Sequence, residues 1–151
     1  MKSKVDFIEH QECPIVDGII FPDSTILLLD VTAAWKPTVK FKIQTASKTS
    51  IADLDRTGKL FWAGCSILDE YDDVQRSIKI VCGEGSYGSD GFLAVINWKT
   101  KSTIWMAYFT SSNPFCKVKT EDNQLVAIST IGCAWRFELE NPTEVEVICH
   151  E

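Results

Sequence analysis

Histidine is scarce in this chain: there are only two, His10 and His150. No His, Ser or Cys is placed by the sequence to assemble a nucleophile–base triad. No C-x-x-C occurs, so neither a redox dithiol nor a paired-cysteine zinc ribbon is spelled out. Long apolar runs are missing too. The longest, "TILLLDV", is strand-sized and far short of a membrane span. At the N-terminus, "MKSKVDFIEHQEC" is broken by Asp6 and Glu9, so no signal peptide is expected and the chain is expected to stay in the cytoplasm. Positive charge is the last shortage. Fifteen Lys and Arg stand against 21 Asp and Glu, a net charge of −6. Phosphate backbones and anionic lipid need cations facing them, so nucleic acid and membrane are not expected as partners and a basic protein is.

Also missing is any helical period. Apolar residues do not recur at i, i+3, i+4 and i+7 over a long window. Short runs rich in Val, Ile, Phe, Thr and Trp alternate with turn residues instead: "TVKFKIQT", "KLFWAGCSI", "SIKIVC", "GFLAVINW", "STIWMAYF", "QLVAISTI", "AWRFELE" and "EVEVICH" among them. In "TVKFKIQT", Val39, Phe41 and Ile43 share one face, and Lys40 and Lys42 the other. The 151 residues suit one all-β antiparallel domain. "LDEYDDVQRS" is polar enough to read as an exposed loop. The six Cys (13, 65, 82, 116, 133 and 149) are expected as free thiols, given the expected reducing compartment.

Several strands are apolar on both faces. In "STIWMAYF", Ile104, Met106 and Tyr108 oppose Trp105, Ala107 and Phe109. A two-sheet sandwich leaves one face of each sheet wet, so the expectation is a propeller-like stack of short sheets, with a sandwich or curled barrel as alternative. "IADLDRTGKLFWAG", "LAVINWKTKSTIWMAY" and "WRFELENPTEVEVI" share a strand–turn–strand pattern, and the first resembles the outer hairpin of a WD-type repeat.

Candidate sites follow from the residues that this scheme leaves in loops. "GEGSYG" (83–88) spells G-x-G-x-x-G. The strand after it supplies no helix N-terminus for a phosphate, and "AVIN" lacks the lysine a kinase lid needs, so a nucleotide is not expected. What remains is a loop showing Glu84, Tyr87 and Asp90. The run Asp69, Glu70, Tyr71, Asp72, Asp73 offers carboxylates around an aromatic anchor. Together the two stretches are expected to form one acidic, partner-binding face. Asp53 and Asp55 read as sharing one strand face, an arrangement either structural or suited to acid–base work. His10, Cys13, Cys149 and His150 would converge as four ligands if the terminal strands pair, though no metal or cofactor is expected. Of the five Trp, four lie in apolar strands and read as core, while Trp35, at a bend, reads as exposed.

In size, charge and composition the chain resembles bacterial immunity proteins, which neutralise a cognate toxin. The resemblance implies a protein-binding inhibitor, not an enzyme. An acidic face would cover the cationic active-site cleft of a basic toxin such as a nuclease. The alternative is a small-ligand or carbohydrate-binding β-domain using Trp35 and the glycine loop.

Overall fold

The computed structural model describes residues 6–149. Its elements are α1 (Phe7–His10), β1 (Glu12–Pro14), β2 (Gly18–Ile20), β3 (Thr25–Ala34), β4 (Lys40–Ser50), α2 (Ile51–Arg56), β5 (Trp62–Gly64) and β6 (Ser66–Asp73). Then follow β7 (Ile78–Glu84), β8 (Gly91–Asn97), β9 (Ser102–Phe109), β10 (Phe115–Glu121), β11 (Gln124–Ser129), β12 (Cys133–Glu138) and β13 (Val145–Cys149). The fold is all-β, and every strand pair is antiparallel.

The expected propeller-like stack does not form. Seven strands make one sheet in the order β4-β3-β2-β9-β8-β7-β6, four make a second in the order β10-β11-β12-β13, and β1 pairs with β5. The four-stranded sheet faces the large one. Its edge strand β10 lies against β6 and β7, and its other edge β13 lies against β4. Among the described residues no sheet closes into a barrel.

The doubly apolar strands are explained by a third layer. Ile19, Ile80, Leu93, Val95, Trp105, Ala107 and Phe109 face the four-stranded sheet and meet Leu125, Trp135 and Phe137 from it. The opposite face presents Ile20, Val81, Phe92, Ala94, Met106 and Tyr108, and these are covered by Phe7 of α1, Cys13 and Ala63 of β1 and β5, and Ile51 of α2. β8 and β9 are therefore buried on both sides, as their sequences require. A bulge between Val95 and Ile96 leaves Ile104 unpaired, and Ile104 joins the inner core with Trp105 instead of the outer face with Met106. The inner core centres on rings: Phe109 packs on Trp135 with centroids 4.7 Å apart, with Phe115 and Phe137 beside it. The Trp105 indole donates to the Leu139 carbonyl at 2.9 Å.

Two segments change type. "TSIADLD" was read as a strand, but Ser50 accepts from the Asp53 amide at 3.0 Å and caps α2, which ends at Gly58 with φ +73°. "LDEYDDVQRS" was read as a loop, but its first half is β6, the edge strand of the large sheet. Cys133 and Cys149, expected as thiols, face each other in register on β12 and β13 and form a disulfide. Cys13, Cys65, Cys82 and Cys116 are free. Burial pushes the Cys65 and Cys82 thiols up to about 12 and holds the Cys13 thiol well above its ordinary value, so all three behave as small apolar residues.

The bridge closes a loop with a sequence separation of 16. Chain-entropy arguments assign such a loop about 3 kcal/mol. Urea unfolding of oxidised protein and of Cys133→Ser/Cys149→Ser should differ by about that amount.

Candidate functional site

Half of the carboxylates in the acidic run turn inward. The alternation of β6 sends Asp69, Tyr71 and Asp73 towards the four-stranded sheet. Asp69 Oδ2 accepts from the Val118 amide at 3.0 Å, and Tyr71 packs on the inner core. Asp73 is buried. It accepts from Arg76 Nη1 at 2.6 Å and from the Thr120 hydroxyl at 3.0 Å, while Arg76 Nη2 donates to the Asp122 carbonyl at 2.5 Å. These bonds form a polar seam that clamps β6 to β10. On Asp73, burial acts to raise the carboxyl's pKa, but hydrogen bonds from Arg76 and Thr120 outweigh it and hold it below the ordinary range. Glu70 and Asp72 face outward. Both hold Lys79, at 3.4 and 2.9 Å.

The glycine stretch also closes up. Gly83 and Gly85 are not there for left-handed turns. A Cβ on Gly83 would meet the Ser66 carbonyl, and one on Gly85 would meet the Tyr108 hydroxyl. The Ser86 hydroxyl accepts from the Gly64 amide at 3.1 Å. Asp90 does not project, as had been expected. It is 1% exposed and accepts from the Tyr108 hydroxyl. Burial raises its carboxyl above the ordinary range, against that hydrogen bond. Glu84 is half-buried, so of the three side chains expected to project Tyr87 alone, at 62%, stands clear.

The two stretches do not share a face. Ser66 pairs with Glu84 and Asp73 with Ile78, so they mark opposite ends of β7, about 20 Å apart at strand rise. Asp53 and Asp55 stand two apart on α2, a spacing that does not put helical side chains together, and Asp53 pairs with Arg56 at 3.2 Å. Cys13 is buried in the outer cluster, whereas Cys149 is bonded to Cys133 on the inner side, so the central sheet lies between them. His150 lies outside the described residues, and among the described ones no group of three or more ligands fits a metal. Trp35 is exposed as expected, but so is Trp98, at 46%.

What the sequence reading missed is the end of the sandwich marked by Asp73. Register places four turns there: β6–β7 (Val74–Ser77), β8–β9 (Trp98–Lys101), β10–β11 (Asp122, Asn123) and β12–β13 (Leu139–Glu144). The exposed carboxylates Asp72, Glu121, Asp122, Glu138, Glu140 and Glu144 gather around this end. They outnumber its cations Lys79, Lys99, Lys101, Lys119 and Arg136 once Arg76 is paired with Asp73. Among the described residues Asp122, Glu140 and Glu144 make no ion pair. Val74, 84% exposed, and Trp98 lie on the β6–β7 and β8–β9 turns of this end, with Lys79 and Lys101 over the Trp98 ring, 4.9 and 3.0 Å from its centroid. A hollow of about 480 Å³ opens between the sheets, lined by Arg76, Ile78, Val95, Ile104, Asn123, Leu139 and Glu140. The signals were "TEDN" and "ELENPTE", which became one surface only once the strands were in register.

Comparison with protein-family models, curated proteins and solved structures finds no match. Among the described residues, no helix is long and apolar enough to cross a membrane.

Two outcomes test this geometry. Asp73→Asn should lose about 1–3 kcal/mol near neutral pH, as for a buried group left mispaired. Because the folded carboxyl's pKa is lowered, its stabilisation is present above the unfolded value, about 4, and fades as pH falls through the folded one. The difference from wild type in urea unfolding should therefore shrink in acid. Gly85→Ala should cost about 1–3 kcal/mol in the same assay through its collision with Tyr108.

Proposed function

We propose that this chain is a protein-binding inhibitor, an immunity protein that neutralises a cognate toxin by covering its cationic active-site cleft. The supporting observation is the coincidence, at one end of the sandwich, of carboxylates without ion-pair partners and two exposed apolar side chains, Val74 and Trp98. Tight interfaces combine those elements: an aromatic anchor at the centre and a charged rim that steers the encounter. Of the residues first expected to bind, Asp72 belongs to this end and Glu70 lies two positions further along β6. Asp69, Tyr71 and Asp73 act beneath it, holding its seam together. Glu84, Tyr87 and Asp90 lie at the far end. A basic partner, such as a nuclease toxin domain, has the complementary charge.

A cytoplasmic setting belongs to the same proposal. The Cys133–Cys149 bridge weighs on the other side, because disulfides persist mainly in oxidising compartments. Docking through the acidic end requires neither redox state.

A second reading, a small-ligand or carbohydrate-binding domain, draws on a groove of about 570 Å³ between α1 and the sheet, with Phe7, Ile67, Val81, Ile96 and Trp98 among its walls. That volume suits a small molecule. Trp98, not Trp35 or the glycine loop, would then be the aromatic platform.

Co-purification from the native host should capture a basic protein. Its association rate should fall about tenfold or more between roughly 50 and 500 mM salt. Trp98→Ala should weaken the complex about tenfold or more, while Tyr87→Ala at the far end should change it less than about twofold. A salt-insensitive association rate, or loss of binding in Tyr87→Ala alone, would remove the acidic-end docking mode. Quenching of Trp fluorescence by a glycan, with no protein captured, would favour the second reading.

A further inference from the structure

The inter-sheet hollow differs from the rest of the acidic end in being a recess. Its walls are aliphatic: Ile78 and Val95 from the large sheet, Ile104 at the β9 bulge, and Leu139 just beyond β12. The Trp105 indole holds the Leu139 carbonyl at 2.9 Å and so fixes the segment that supplies the Leu139 wall. The mouth carries three polar side chains, Arg76, Asn123 and Glu140. Two of them are engaged. Arg76 donates to Asp73 at 2.6 Å, to the Asp122 carbonyl at 2.5 Å and to Asn123 Oδ1 at 3.0 Å, so Asn123 is also taken. Glu140 makes no ion pair among the described residues. The positive charge in the mouth is thus matched by Asp73, and the negative charge is spare. Glu121, Asp122, Glu138 and Glu144 stand around the same end and add to the negative field.

A recess with aliphatic walls and one spare carboxylate at its lip suits an occupant with an aliphatic stem and a cationic head. An anion would meet Glu140 and find Arg76 already engaged. An uncharged apolar group would leave the lip unused. We propose that this hollow is the recess for an arginine or lysine side chain of the partner protein, its stem along Ile78, Val95, Ile104 and Leu139 and its head on Glu140. This rests on the docking end proposed above and names the chemistry it recognises. Long cationic side chains bury their methylene stems on apolar surface in this way while the charge stays at the rim. Arginine is the stronger candidate, because its planar head takes a carboxylate through two parallel hydrogen bonds.

The test needs no partner. The full chain, labelled for NMR, is titrated with butylguanidinium, and separately with butyrate and butanol as four-carbon anionic and neutral probes. Butylguanidinium should shift the methyl signals of Ile78, Val95, Ile104 and Leu139, and butyrate should not. Glu140→Gln, an exposed position that leaves the core untouched, should weaken the cation about threefold, as expected for one partly exposed charge pair. Glu144→Gln, a carboxylate outside the recess, should weaken it by less than half of that. Equal binding of butanol and butylguanidinium, an unchanged affinity in Glu140→Gln, or shifts confined to other residues would overturn the recess. The readout is independent of co-purification, so a failed capture and a failed recess are seen separately.

Discussion

The middle strands of the large sheet carry large apolar side chains on both faces, and this demand for two covers organises the molecule. Each such side chain gains roughly 1.5–3 kcal/mol on full burial. Phe92, Met106 and Tyr108 on one face and Leu93, Trp105 and Phe109 on the other are all buried. The four-stranded sheet meets one half of the demand. The N-terminal segment, the β1–β5 pair and α2 meet the other. Two covers on one sheet leave the strand ends as the places where side chains can be presented freely, and the two ends are used differently. At the glycine end, Asp90 and Tyr108 are turned in on each other. At the Asp73 end, the Asp73–Arg76–Asp122 seam ties the β6–β7 turn to the β10–β11 turn, and carboxylates point out around it.

The seam shows why acidic residues close in sequence have separate fates. β6 is an edge strand, and edge strands carry charge to discourage pairing with other chains. With a period of two, half of its carboxylates must face the second sheet. Asp69 and Asp73 do so and are matched there by a backbone amide, a hydroxyl and a guanidinium. Glu70 and Asp72 face outward, on Lys79. The run is thus partly a structural clamp and partly surface.

Fold class was legible because alternation, turn residues and the missing helical period all agreed. The burial of β8 and β9 on both faces was legible too, in "GFLAVIN" and "STIWMAYF". Its cause was not, because covers of different kinds, stacked blades or a third layer, leave the same pattern in the strand they bury. Helix α2 was readable in principle from Ser50 and Asp53, the S-x-x-D signature of a capped N-terminus, but the β-branched residues before it dominate the window. The charge of β6 hid a strand because exposed edges and loops share a composition. The acidic end was the least legible part. Its carboxylates come from residues 72, 121, 122, 138, 140 and 144, and only long-range register brings them together.

That surface is where we propose that a partner docks, while at the other end Asp90 and Tyr108 are turned inward. Hydrogen–deuterium exchange of the chain, alone and in complex with the captured partner, reads this directly. The account predicts new protection in the turns around 74–77, 98–101, 122–123 and 139–144, with the 84–90 loop unchanged. Protection confined to 84–90, with the four turns exchanging as before, would contradict it.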